Sequence, residues 1–301
     1  ERTEKRNPKR GGGLMQLIME FLTRNENLFL TGAIVAYLAA MIYFWVQLFV
    51  RADDASRSAE RQHAHAAIWG RWLLIIGIVL HGFSLIGQGS ALLTVRAGFA
   101  GFFGWGLALA YLVLGLKVGR ESLGAFVTPV TLLAAFYSLT ATRLHTGARS
   151  DLLQSQWLPI HVTIIVLAYV ALAFAFASAL IYLIQETLLK RKKLSGLWQR
   201  LPSLQVADDL IYRATVFGSA LFVLGLLTGI FGMAQQPDYR PMGDPKVLVS
   251  MFSWFPFSLY LAARWWLGWR GRSTNLVVVY GFLILVISFF GAPHVLNGAP
   301  R

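Results

Sequence analysis

The chain has 301 residues, of which 56% are hydrophobic and 14% charged, with a formal net charge of +13. That balance excludes an ordinary soluble domain. The basic residues lie in short stretches between apolar runs, where they report membrane topology rather than a nucleic-acid surface. The absence of cysteine excludes disulfides, thiolate metal sites and CxxC or CxxCH chemistry within the chain.

A bilayer core asks for about 20 apolar residues per helix, and only helices or closed barrels satisfy the backbone there. Runs of that length fall at 28–50, 69–92, 98–118, 122–141, 158–184, 214–234, 247–267 and 276–291. They are too long and unbroken for barrel strands. The pattern predicts an all-α polytopic integral membrane protein, a bundle of about eight transmembrane helices. Residues 1–26 read as an N-terminal extension and tail, 27–295 as one transmembrane domain, and 296–301 as a C-terminal tail. Within the extension, residues 1–14 carry Arg2, Lys5, Arg6, Lys9 and Arg10. They read as an upstream addition or as an amphipathic pre-helix.

Loops after the first, third, fifth and seventh runs hold most of the cations, including Lys190, Arg191, Lys192, Lys193, Arg264, Arg270 and Arg272. Excess Lys and Arg mark the cytoplasmic side, so both termini are expected on the outer face. The longest connector, about 185–212, is basic and juxtamembrane.

An ionisable residue inside an apolar run is costly and points to function. His81 lies in the second run with Ser84 and Gln88 at i+3 and i+7, on one helix face. It is either a neutral histidine bonded to a neighbouring helix or a ligand. His161 opens the fifth run and His294 closes the eighth, so counting crossings puts both at the same, outer, membrane surface. Two such imidazoles can supply both axial ligands of a heme iron, or be ordinary interface residues. His63 and His65 read as solvated loop residues and His145 as an outer-loop residue. Asp208 and Asp209 read as a helix N-terminal charge pattern. Gly225, Gly229 and the small-residue run 173–179 mark tight helix packing, while Pro129 and Pro256 are expected to kink their helices.

Several motifs in order carry a resemblance. They are LQSQWLPIHVTIIVLAYVAL, then LPSLQVADDLIYRATVFGSALFVLGLLTG, then GDPKVLVSMFSWFPFSLYLAARWWLGWRGR, and the final histidine. Over about residues 153–295 the chain resembles the CcsA-type (ResC/CcmC-related) cytochrome c assembly family, in its divergent HemX-like branch. The resemblance implies heme, b-type and non-covalent, as cofactor. It implies His161 and His294 as outer-face iron ligands and His81 as a transmembrane iron ligand. Asp244, Pro245, Lys246 and Trp254 would be the remnant of a tryptophan-rich heme platform. The chain departs from that pattern: AQQPDYRPMGDPK lacks the platform tryptophans, Val247 and Val249 stand at Glu and Trp positions, and Ala262 replaces a second transmembrane histidine.

The expected function is a heme-handling protein of cytochrome c biogenesis in a bacterial cytoplasmic (inner) membrane, a binding and presenting protein rather than a self-contained enzyme. Its expected partners are heme, the lipid bilayer and a periplasmic assembly partner or apocytochrome c, without nucleic acid. Arg143, Arg149 and Arg240 are candidate contacts for the heme propionates. The alternative is a HemX-like membrane regulator or scaffold of heme biosynthesis with weak or no heme binding, whose basic Lys190–Lys193 stretch docks a soluble enzyme or anionic lipid. A secondary transporter predicts inverted repeats and membrane-embedded carboxylates, and the apolar runs hold almost none.

Overall fold

The computed structural model describes residues 13–49, 57–89, 92, 96–118, 122–142, 157–193, 197–234 and 244–291. Among these the structure is helical and holds no strand. The helices are α1 (Gly13–Arg24), α2 (Glu26–Phe49), α3 (Arg57–Gln88), α4 (Arg96–Val118) and α5 (Ser122–Thr142). They continue as α6 (Trp157–Lys190), α7 (Leu197–Arg200), α8 (Leu204–Ala234), α9 (Pro245–Trp266) and α10 (Arg272–Gly291). Eight of them, all but α1 and α7, are long and apolar enough to cross a membrane. The protein is therefore an all-helical polytopic membrane protein, as the apolar runs predict.

The successive spans alternate in direction, which gives the bundle two ends. One carries the start of α6 and is called the His161 end; the other carries the end of α9 and is called the Arg264 end. At 34 residues, α6 is about 51 Å long at 1.5 Å per residue, well beyond a hydrocarbon core of about 30 Å. It overruns the apolar stretch that predicts it, because Gln185, Glu186 and Lys190 continue the helix into the polar zone.

Two four-helix rings build the bundle. In the first, α2 packs on α3, α3 on α4, α4 on α5 and α5 back on α2. In the second, α6 packs on α8, α8 on α9, α9 on α10 and α10 back on α6. The rings join where α4 and α5 meet α6. With no hydrophobic drive between helices in lipid, close van der Waals packing carries this assembly, and small residues permit it. On α6, Ala168, Ala173, Ala175, Ala177 and Ala179 are all buried, as the small-residue run predicts. Across from them, a Cβ at Gly218 of α8 would lie 2.8 Å from the Leu172 side chain. Large side chains point the other way: Phe217, Leu224 and Phe231 of α8 are exposed, where lipid meets them.

Two local readings change. His63 and His65 fall inside α3, not in a loop, because the helix begins at Arg57. Asp208 lies within α8 rather than at its start, since that helix begins at Leu204.

Candidate functional site

At the His161 end, α6 and α8 run side by side, and the glycines of α8 decide what fits between them. Gly225 and Gly229 are one turn apart on the face turned to α6. A Cβ at Gly225 would lie 2.2 Å from Ile165, and one at Gly229 would lie 2.7 Å from Cε1 of His161. The GxxxG pair is thus a packing motif, as its spacing predicts, and it is also the seat of a site residue. His161 rests in the groove that Gly229 leaves.

The ring orientation follows from one hydrogen bond. His161 Nδ1 is 2.8 Å from the carbonyl oxygen of Gly225. A carbonyl only accepts, so Nδ1 carries the hydrogen and donates it. The neutral ring then holds its lone pair on Nε2. Histidine ligands of metals are held this way: the outer nitrogen donates to a backbone carbonyl, fixing tautomer and direction. The Gly225 carbonyl also accepts from Thr228 Oγ1 at 3.0 Å. Trp157, one turn earlier on α6, packs edge-on against Phe231 of α8 at 5.0 Å and closes the top of the groove. Eight residues further along α6, about 12 Å of helical rise from His161, Tyr169 stacks on Phe222, with ring centroids 6.2 Å apart.

The Asp-Pro-Lys run has a defined local role. Asp244 is the N-cap of α9 and accepts from the Lys246 backbone N–H at 2.8 Å, with Pro245 at the first helical position. Both are preferred there, because the N-terminal N–H groups lack helical partners and proline has none to lose. Lys246 Nζ donates to the carbonyls of Ser288 and Phe289 at 3.2 and 3.4 Å. It also lies 5.5 Å over the Phe289 ring. Lys246 therefore satisfies the last turn of α10 and ties the start of α9 to the end of α10. Trp254 is ten residues further along α9, about 15 Å of helical rise from Asp244. It does not share the surface where Asp244 caps its helix.

His81 is elsewhere. It is fully buried in the first ring, and its Nδ1 is 3.3 Å from the Tyr37 hydroxyl of α2. His81 packs within α2–α3 while His161 packs within α6–α8, and α4 runs between the two pairs. His294, His145, Arg143, Arg149 and Arg240 lie outside the described residues.

At the Arg264 end the structure reveals a pair that sequence reasoning assigns differently. Asp208 and Arg264 form a two-pronged ion pair, with Nη1 to Oδ1 at 2.9 Å and Nη2 to Oδ2 at 2.7 Å. Their side chains are only 12% and 7% exposed, which makes this a buried structural link and not a helix-end charge pattern. Arg264 also donates to Tyr260 Oη at 3.4 Å and lies 4.8 Å over the Tyr212 ring. The Trp265 indole donates to Tyr212 Oη at 3.0 Å. The spacing Asp208–Tyr212 and Tyr260–Arg264, each i to i+4 on one helix face, is the signal that could have paired them.

A family model described as Cytochrome C assembly protein matches residues 93–299, extending the motif-based span upstream through α4 and α5. Among curated proteins, Protein HemX of Bacillus subtilis is 30% identical over 191 residues, covering 63% of this chain and 69% of its own length. Cytochrome c biogenesis protein CcsA of Chlorella vulgaris is 27% identical over 221 residues, covering 63% and 70%. The protein of the same name from a Prochlorococcus marinus strain is 28% identical over 218 residues, covering 63% and 69%. No solved structure matches the chain.

Proposed function

The chain belongs to the cytochrome c assembly protein family, matched over more than half its length, which gives it a role in cytochrome c biogenesis; we propose that this role is to bind heme at the outer membrane face and present it to a partner. The observation that carries the reading is the His161 geometry. A half-buried imidazole has its Nδ1 committed to the Gly225 carbonyl and its ring seated over Gly229, which fixes its tautomer and orientation. That is what an axial ligand requires. The second ligand in this reading is His294, which follows the end of α10 that Lys246 secures.

Heme when bound supplies a redox-active iron; the chain supplies ligation, orientation and exclusion of water from one side by Trp157 packed on Phe231. Because the chain has no cysteine, covalent attachment belongs to a CxxCH-bearing partner, and heme is held non-covalently here. The Arg264 end carries Lys190 to Lys193, Arg264, Arg270 and Arg272. By the positive-inside rule that end is cytoplasmic. The His161 end then faces outward in a bacterial cytoplasmic membrane, where a periplasmic assembly partner or apocytochrome c can reach it.

The similarity to Protein HemX, at 30% identity, supports a second reading: a membrane regulator or scaffold of heme biosynthesis. The two part in a deletion strain complemented with wild type or His161→Ala. The first reading expects loss of covalent heme stain from c-type cytochromes, restored by wild type and not by the variant. Normal c-type cytochromes with altered levels of early heme precursors would favour regulation instead.

A further inference from the structure

The intramembrane histidine has no room for a macrocycle, and the far end of the bundle is filled. His81 is 0% exposed, in contrast to the half-buried His161. Tight packing covers both sides of its helix. A Cβ at Gly77 would lie 2.5 Å from the Tyr37 ring, and one at Gly82 would lie 3.4 Å from Trp105 Nε1. Trp105 is itself fixed, its indole donating to the Ile78 carbonyl at 3.0 Å. The His81 Nε2 has no hydrogen-bond partner among the described residues, which on its own suits a ligand. That atom is nevertheless covered by packed protein, and heme could reach it only by prising α2 or α4 off α3.

No second histidine comes from α9, whose sequence PKVLVSMFSWFPFSLYLAARWW contains none. That helix packs on α8 and α10 in the other ring. At the Arg264 end, the space between α8 and α9 is taken by the Asp208–Arg264 pair with Tyr260 and Tyr212. A planar dianion entering there would have to break a two-pronged ion pair.

We propose that this protein handles heme at one membrane face only: among the described residues the single site is at His161, His81 is a hydrogen-bonding clamp between α2 and α3, and the described helices form no conduit for heme. The inference rests on the heme-binding reading above and narrows it. It implies that heme reaches His161 from the outer side or laterally, delivered by another component.

The test is hemin titration of the full-length protein in detergent, followed by absorption, with melting temperature measured in parallel. Wild type is expected to saturate at one heme per chain. His81→Gln and Tyr37→Phe are expected to keep that ratio and the same Soret and α-band positions. Tyr37→Phe removes the interhelical bond with little change of volume, so it is expected to lower the melting temperature. A ratio of two in wild type, loss of half the Soret intensity in His81→Gln, or displaced bands in Tyr37→Phe would each overturn the single-face proposal while leaving heme binding at His161 intact. A wild type that takes up no heme would overturn both.

Discussion

A single backbone carbonyl decides the chemistry at His161. Because the Gly225 carbonyl can only accept, the imidazole is committed to donate from Nδ1, and the lone pair falls on Nε2 without any choice of tautomer. The Asp208–Arg264 pair shows the same economy at the other end. Removing one partner of a buried pair strands the other charge, at a typical cost of about 3–5 kcal/mol. Asp208→Ala is therefore expected to lower the melting temperature sharply in detergent. The swap Asp208→Arg with Arg264→Asp is expected to recover part of the loss. Equal stability of Asp208→Ala and wild type would show that the pair contributes nothing.

Residue-level legibility was uneven for a physical reason. His161 was visible because an imidazole at the head of an apolar run is conspicuous. The pairing of Asp208 is not legible in the sequence, because its partner lies 56 positions away and charge near a helix start has a simpler local explanation. Tyr37 gave no signal, since a tyrosine in an apolar run is unremarkable until a histidine is placed beside it.

At the scale of elements, small residues set what can sit between helices. The GxxxG of α8 was legible as packing, but only the structure shows that its second glycine makes room for a ring and its first supplies the carbonyl. Gly229→Leu is expected to push His161 out of the groove and reduce heme affinity at least tenfold in a hemin titration. Gly281→Ala is a control away from the site, its Cβ meeting Pro256 at 3.0 Å and Phe257 at 3.2 Å, and is expected to leave affinity unchanged. Unchanged affinity in Gly229→Leu would remove the groove from the site.

The N-cap of α9 is a second element-level feature. Loss of a capping side chain costs typically about 1 kcal/mol, so Asp244→Ala is expected to be mildly destabilising and Asp244→Asn close to neutral. Loss of heme binding in both variants without a change in melting temperature would assign Asp244 to the ligand instead. The cores of the spans were legible because apolar runs are unambiguous. Their ends were not: α3, α6 and α8 extend past the apolar stretches, since backbone hydrogen bonding continues a helix through polar residues once packing has anchored it.

For the whole molecule, the division into two rings was invisible in the sequence. Eight similar apolar runs do not say which neighbours they choose, and packing among small residues makes that choice. Direction in the membrane is readable from charge, and the cysteine-free background makes it testable. In intact cells, Ala234→Cys at the His161 end is expected to react with a membrane-impermeant maleimide. Lys193→Cys at the opposite end is expected to react only after lysis. The reverse pattern would invert the topology and put His161 in the cytoplasm.

The central claim is that His161 and His294 hold heme. Its most direct measurement is the reduced-minus-oxidised absorption spectrum of the purified protein expressed with ample heme, beside His161→Ala and His294→Ala. The account predicts a Soret band with α and β peaks in wild type, lost or converted to a weaker, shifted spectrum in either variant. A folded wild type that stays colourless with added hemin, or variants whose spectra match it, would contradict the claim.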